Sequence, residues 1–225
     1  MRLRAVFFDA GNTLIRLDYD VIAQALALEG IDVESSAVRR AECRARVRLD
    51  PLLADRSTEG DDVFRAYTRF AFEGLGAPSE AAERALARLH DRARDLWRIP
   101  DPQAFWVLEA LRGRGYRLGV ISNSNGTVEA LLKQAGLAPF LDVILDSGRV
   151  GVEKPDPRIF RMALETVGAR PQEAVHIGDL YSVDIVGAKG AGLHAILLDP
   201  IGAWGDVNCL KARDLIHAQV LIELL

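Results

Sequence analysis

The run Ala5-Val6-Phe7-Phe8-Asp9-Ala10-Gly11-Asn12-Thr13-Leu14 decides the reading of this chain. Ala5 to Phe8 is a short apolar stretch, aromatic and β-branched, too short for a helix and suited to a buried strand. It stops at a carboxylate. Gly11 and Asn12 both tolerate positive φ and supply a tight turn. Asp9 is therefore expected at the carboxyl end of a core strand, the edge where open α/β sheets bind ligands. The plainer alternative is an Asp that only caps the turn after an edge strand.

Beyond that strand the pattern changes. Val21, Ile22, Ala25, Leu26 and Leu28 fit one face of a helix that Gly30 ends. A second helix is expected from Glu34 to Leu49, broken by Pro51. Asp61 or Asp62 can cap a third through Val63, Phe64, Tyr67, Phe70 and Ala71, ending at Gly74 or Gly76. Ser79 opens a fourth, with Leu86, Leu89 and Ala93 along it. No strand stands out between Leu17 and about Arg98.

From Pro102 helices and strands alternate. Helices are expected at 103–112, 128–134, 158–167 and 183–189, strands at 117–122, 142–145, 175–178 and 194–198. The C-terminal stretch 212–225 reads equally as a short strand or a helix. Alternation of this kind gives a parallel sheet with helices on both faces. The expected fold is an α/β doubly wound parallel sheet built from residues 1–16 and 99–225. Residues 17–98 form an inserted four-helix subdomain.

Composition narrows the function. In 225 residues, 49% hydrophobic, a sizeable core can be buried. A net charge of -4 gives no reason to expect nucleic acid as a partner. Cys43 and Cys209 form no metal-type spacing, which favours a reducing compartment. With no signal peptide and no apolar run long enough to span a membrane, a soluble cytoplasmic protein is expected, monomer or homodimer.

Three more polar clusters follow expected strands. Ser122-Asn123-Ser124-Asn125-Gly126 offers a hydroxyl and backbone N–H groups at a strand-to-helix turn, a potential anion site or simply a polar turn. In Lys154-Pro155-Asp156-Pro157, Asp156 is a good N-cap and Pro157 suits the first helical position. Only four of the 28 basic residues are lysines, so Lys154 held just before a rigid turn is a candidate point charge on phosphate or carboxylate. His176-Ile177-Gly178-Asp179-Leu180-Tyr181-Ser182-Val183-Asp184 sets two carboxylates five residues apart, oxygen ligands of the kind Mg²⁺ takes. His176, within the apolar strand, reads as a packed core histidine. Arg39, Arg40, Arg44, Arg46 and Arg48 read as a solvated helix face, or as cations offered to an anionic substrate.

Taken together, the motifs FFDAGNTL, VISNSN, KPDPRIF and HIGDLYSVD resemble those of the haloacid dehalogenase (HAD) superfamily, in its branch with a helical cap inserted after the first strand. The resemblance spans essentially the whole chain. It implies a Mg²⁺-dependent hydrolase of a small phosphorylated metabolite. Asp9 would be the nucleophile, forming an aspartyl-phosphate. Mg²⁺ would bind Asp9, the Gly11 carbonyl and Asp179, with Asp184 a further ligand or an orienting group. Ser122, Asn123 and Asn12 would hold substrate, and Lys154 would neutralise charge. HAD phosphatases carry an Asp two residues after the nucleophile as general acid/base; here that position is Gly11. Alternatives are a non-catalytic phosphate-binding or regulatory module and a haloacid dehalogenase. The retained Asp179 and Asp184 speak against the dehalogenase.

Overall fold

The computed structural model describes residues 2–55, 61–90 and 96–225. β1 (Ala5–Phe8) is buried along its whole length, as an unbroken apolar run requires of a central strand in a parallel sheet. It pairs in parallel with β4 (Arg117–Ser122) on one side and β6 (Ala174–Gly178) on the other. With β5 (Val143–Asp146), β7 (His194–Leu198) and β8 (Leu210–Ala212) it makes a six-stranded parallel sheet in the order β5-β4-β1-β6-β7-β8.

The chain steps outward from β1 through β4 to β5, then returns to the far side of β1 for β6, β7 and β8. That reversal between β1 and β6 opens a crevice at the carboxyl edge, where ligands of such sheets bind. Phe8 stands opposite both Val120 and Ile177. Asp9, Ser122 and Asp179 therefore leave the sheet within about one residue of the same level.

The chain divides into two compact units. One comprises the residues up to Arg16 with Arg98–Pro200 and Asp206–Leu225; the other comprises Leu17–Trp97 with Ile201–Gly205. β2 (Ile15–Leu17) and β3 (Trp97–Pro100) pair as a separate two-stranded ribbon. The sequence offers no strand there because segments of three and four residues are too short to show a period.

Other differences are local. The second helix runs through Pro51 to Ala54. A proline in the last turn removes one N–H and otherwise keeps a helical φ; the Asp55 N–H still reaches the Pro51 carbonyl at 3.2 Å. The C-terminal stretch holds both alternatives, β8 and then a helix at Leu215–Ile222. The helix expected at 183–189 starts earlier, as a π-helical turn at Tyr181–Val186 followed by Gly187–Gly190. Ala93 and the side chain of Asp61 fall outside the described residues. Among those residues no helix is long and apolar enough to cross a membrane.

The Leu17–Trp97 unit packs α1 (Tyr19–Ala27), α2 (Ser35–Ala54), α3 (Asp61–Gly74) and α4 (Ser79–His90). Each touches the next, and α4 touches α1. Leu26, Val38, Leu49, Phe72, Leu86 and Leu89 fill the centre. Inside it sits a charge. Glu42, 1% exposed, pairs with Arg46, 3% exposed, through Nε at 2.5 Å and Nη2 at 2.6 Å. Tyr19 donates to Glu42 Oε2 at 3.1 Å, and Tyr67 donates to Oε1. Burial first, then the Glu42 charge, hold both phenols well above their ordinary pKa, so both remain donors.

Four of the five arginines on α2 are exposed, as a solvated face requires, but Arg46 is not. One carboxylate thus ties α1, α2 and α3 together. Removing one member of a buried pair strands the other charge. Glu42→Ala is expected to cost about 3–5 kcal/mol in denaturant unfolding. Replacing Glu42 and Arg46 together by leucine and methionine should recover most of that loss. Equal stability of Glu42→Ala and the native chain would show that the pair does not hold the unit.

Candidate active site

Every side chain of the site comes from the sheet-containing unit. After β1 the chain turns at once: the Ala10 carbonyl accepts the N–H groups of Thr13, Leu14 and Ile15. The left-handed residue of the turn is Asn12, at φ 55°. The Asp9 N–H bonds the Ile177 carbonyl at 2.8 Å, which fixes the backbone of Asp9 against β6.

Lys154 lies at the centre. Its Nζ is 2.6 Å from Asp9 Oδ1 and 2.7 Å from Asp184 Oδ1, and the residue is 2% exposed. Two features of the sequence deliver it there. Asp156 caps α8 (Pro157–Val167) by accepting the Arg158 N–H at 2.8 Å, which fixes the turn after Lys154. The Asn123 side chain then grips the Lys154 backbone at both ends. Its Nδ2 donates to the Lys154 carbonyl and its Oδ1 accepts the Lys154 N–H, each at 2.8 Å.

Three donors hold Asp184, and a histidine ring nitrogen faces it. Oδ1 takes Lys154 and faces His176 Nε2 at 3.0 Å; Oδ2 accepts the N–H groups of Asp179 at 3.1 Å and Leu180 at 3.0 Å. The widened π turn lets the carboxylate fold back onto the strand end, a use to which such turns are often put at functional sites. Gly178 makes room for it: a Cβ there would lie 2.2 Å from Asp184 Cγ.

A second buried carboxylate shapes the loop after β4. Asp146 accepts the N–H groups of Gly126 at 2.9 Å, Val128 at 3.0 Å and Gly148 at 3.0 Å. A Cβ at Gly148 would lie 2.7 Å from the Ser124 carbonyl oxygen, so this close approach of two loops needs glycine.

The sequence matches the haloacid dehalogenase-like hydrolase family over residues 3–192. The chain is a haloacid dehalogenase-like hydrolase. It is 38% identical over 170 residues to a phosphoserine phosphatase of Thermus thermophilus, covering 71% of this chain and 67% of that protein. It is 32% identical over 200 residues to a glyceraldehyde 3-phosphate phosphatase of Methanothermobacter thermautotrophicus, covering 88% and 86%. Among solved structures, the magnesium-bound HAD-hydrolase YfnB of Bacillus subtilis superposes with a TM-score of 0.67 at 20% identity, covering 99% of this chain and all of that one.

The residues singled out from the sequence fall into two groups in this HAD-like hydrolase. Asp9, Lys154, Asp184 and the backbone of Asp179 are joined directly. Ser122, buried at the end of β4, and Asn123 stand at the neighbouring strand end. Asn12 Nδ2 lies 3.4 Å from Asp179 Oδ2. Gly11 lies in the turn after β1, bridged to Ile15.

Asp9, Asp179 and Asp184 all lie at the carboxyl edge of the sheet, after β1 and β6. Among the described residues no three His, Cys, Asp or Glu side chains form a metal-holding group. Asp184 turns its oxygens to Lys154, His176 and the N–H groups of Asp179 and Leu180, an arrangement that suits the orienting role named as the alternative to metal ligation. His176, read from the sequence as a packed core histidine, is fully buried and also faces Asp184. A histidine in an otherwise apolar strand, eight residues before an acid, was the available signal.

Electrostatics still leave the HAD site short of positive charge. Burial pushes Asp9 up to about 6; Lys154 opposes this and the Asp184 charge adds to it. Asp184 is also buried, yet Lys154 and His176 hold it well below the usual carboxylate range. Asp179, 3% exposed, is a further buried acid at the same sheet edge. Oxygen donors with this excess of negative charge fit a hard divalent cation such as Mg²⁺.

The packing under Asp184 is testable. Gly178→Ala should destabilise the protein by about 1–3 kcal/mol through overpacking. Gly190→Ala, where an added Cβ meets nothing within 4 Å, should be neutral or gain about 0.4–1 kcal/mol. Denaturant midpoints of the two variants check this; equal effects would refute the close approach.

Proposed function

We propose that this hydrolase cleaves small phosphate monoesters, with Asp9 attacking phosphorus. The observation that carries the reading is Lys154 set 2.6 Å from Asp9 in a buried site, anchored from behind by Asp184. A surface lysine needs no such support; one that must offset charge on a transferring phosphoryl group does. The phosphatase names of two relatives support the same substrate class.

In this reading a carboxylate oxygen of Asp9 forms a bond to phosphorus as the ester P–O bond breaks. The leaving oxygen departs with the electron pair and takes a proton from water. Water then attacks the aspartyl-phosphate, releasing inorganic phosphate and free Asp9. Lys154 offsets charge on Asp9 and on the phosphoryl oxygens throughout. Ser122 Oγ and the Asn123 N–H orient those oxygens. Asp9, the Gly11 carbonyl and Asp179 are the residues that would hold Mg²⁺, which when bound neutralises phosphoryl charge. Asp184 orients Lys154 and the start of the π turn rather than binding the ion.

Gly11 restricts the substrates. Glycine cannot give a proton to the leaving group, and general acid catalysis contributes roughly 10²–10⁴ in rate. Esters whose leaving groups depart unprotonated, such as aryl phosphates, lose least.

Two experiments test this reading. With Mg²⁺ present, the native protein is expected to hydrolyse an aryl phosphate. Asp9→Asn should fall to background with its unfolding midpoint retained. Activity surviving in a folded Asp9→Asn protein would remove Asp9 from the mechanism, and absence of turnover in the native chain would favour a binding module. The second experiment restores a carboxyl group. Gly11→Asp should raise alkyl phosphate hydrolysis up to ~10²-fold and aryl phosphate hydrolysis far less, measured as kcat/KM at matched stability. An equal change on both substrates would show that the leaving-group proton is not what Gly11 lacks.

A further inference from the structure

His176 is wholly buried in β6, beside β1. Its ring meets Phe160 of α8 edge-on, with centroids 5.2 Å apart. Packing alone would be served by any flat apolar side chain. Nε2, however, points at Asp184 Oδ1 from 3.0 Å, whereas Nδ1 is buried and has no hydrogen-bond partner among the described residues.

That asymmetry fixes the tautomer. With the proton on Nδ1, a buried donor would go unsatisfied and the Nε2 lone pair would face a carboxylate lone pair. With the proton on Nε2, the ring donates a charge-assisted bond and leaves only a weak acceptor unpaired. Burial favours the neutral ring over the imidazolium.

The consequence reaches Lys154. Asp184 Oδ2 is fixed by two backbone N–H groups, which hold one end of the carboxylate. Among the described residues, His176 and Lys154 are the groups that act on Oδ1. Without the imidazole, the carboxylate can rotate about its Oδ2 anchor, and the ammonium bridging it to Asp9 moves with it.

We propose that His176 is a positioning residue: as the Nε2–H tautomer it fixes Asp184 Oδ1 and thereby sets the Lys154 ammonium against Asp9. The catalytic consequence rests on the reading of Asp9 as nucleophile; the positional claim does not. A histidine ring that orients an acid, which in turn orients a charged group, follows the logic by which outer hydrogen bonds fix the groups that touch substrate.

The test compares three substitutions in the full chain. The amide nitrogen of Gln can take the place of Nε2, that of Asn only the place of Nδ1, and Phe keeps the packing with no donor. On an aryl phosphate with Mg²⁺, His176→Phe and His176→Asn should lose on the order of 10–100-fold in kcat with KM little changed. His176→Gln should retain most of it. Should His176→Phe fail to fold, the contrast between Gln and Asn decides. Equal losses in those two, or losses confined to KM, would overturn the proposal.

A readout without turnover separates this from failure of the phosphatase reading. Nitrogen NMR of the native protein is expected to show His176 protonated on Nε2 alone. The Lys154 ammonium should give a resolved, slowly exchanging signal in native and Gln proteins and not in the Asn variant. A proton on Nδ1, or a Lys154 signal indifferent to position 176, would refute it even in a protein that hydrolyses nothing.

Discussion

The site depends on one buried cation shared by two buried carboxylates. A lysine ammonium taken out of water is costly unless its charge and its donors are met. Here Asp9 and Asp184 meet them from two sides. The acids are not equivalent. Asp184 is saturated by donors and held below the usual carboxylate range, while burial raises Asp9. The same lysine therefore holds one acid as an anchor while burial outweighs its effect on the other.

The rest of the sheet-containing unit serves that geometry. The strand order turns back between β1 and β6, so Asp9 and Asp179 leave adjacent strands at the same edge. Asn123, at the end of β4, grips the Lys154 backbone across 31 positions of sequence. Asp146, at the end of β5, gathers three N–H groups that shape the intervening loop. Glycine stands where two groups must approach closely, at Gly148 and Gly178. The helical unit solves a different problem by similar means: Glu42 and Arg46 are buried as a pair, with two tyrosines completing the coordination of the acid.

Gly11 is the position at which this HAD-like hydrolase departs from the family motif. The sequence keeps Asp9, Lys154, Asp179 and Asp184 of the motifs, but the residue two positions after Asp9 has no side chain with which to move a proton. In the proposed reading the consequence falls on the leaving group rather than on the attack, so that esters needing no protonation are the expected substrates.

Much of this was legible in the sequence. β1, β4 and β7, and the helix at Val128–Gln134, follow directly from short apolar runs and periodic faces bounded by turn residues. Those signals are local, and burial on both faces leaves a strand little freedom in composition. Asp9, Lys154, Asp179 and Asp184 were visible as acids and a scarce lysine at strand ends. What they touch was not. The ribbon of β2 and β3 is too short to carry a period, and the path of α2 through Pro51 depends on where in the helix the proline falls. Arg46 looks like its exposed neighbours until α1, α2 and α3 close around Glu42. His176 looks like core until the π turn carries Asp184 back beneath it. In each case the sequence determined the residue and its local backbone, and the tertiary structure alone decided its partner, because partners distant in sequence are chosen by strand register and helix packing.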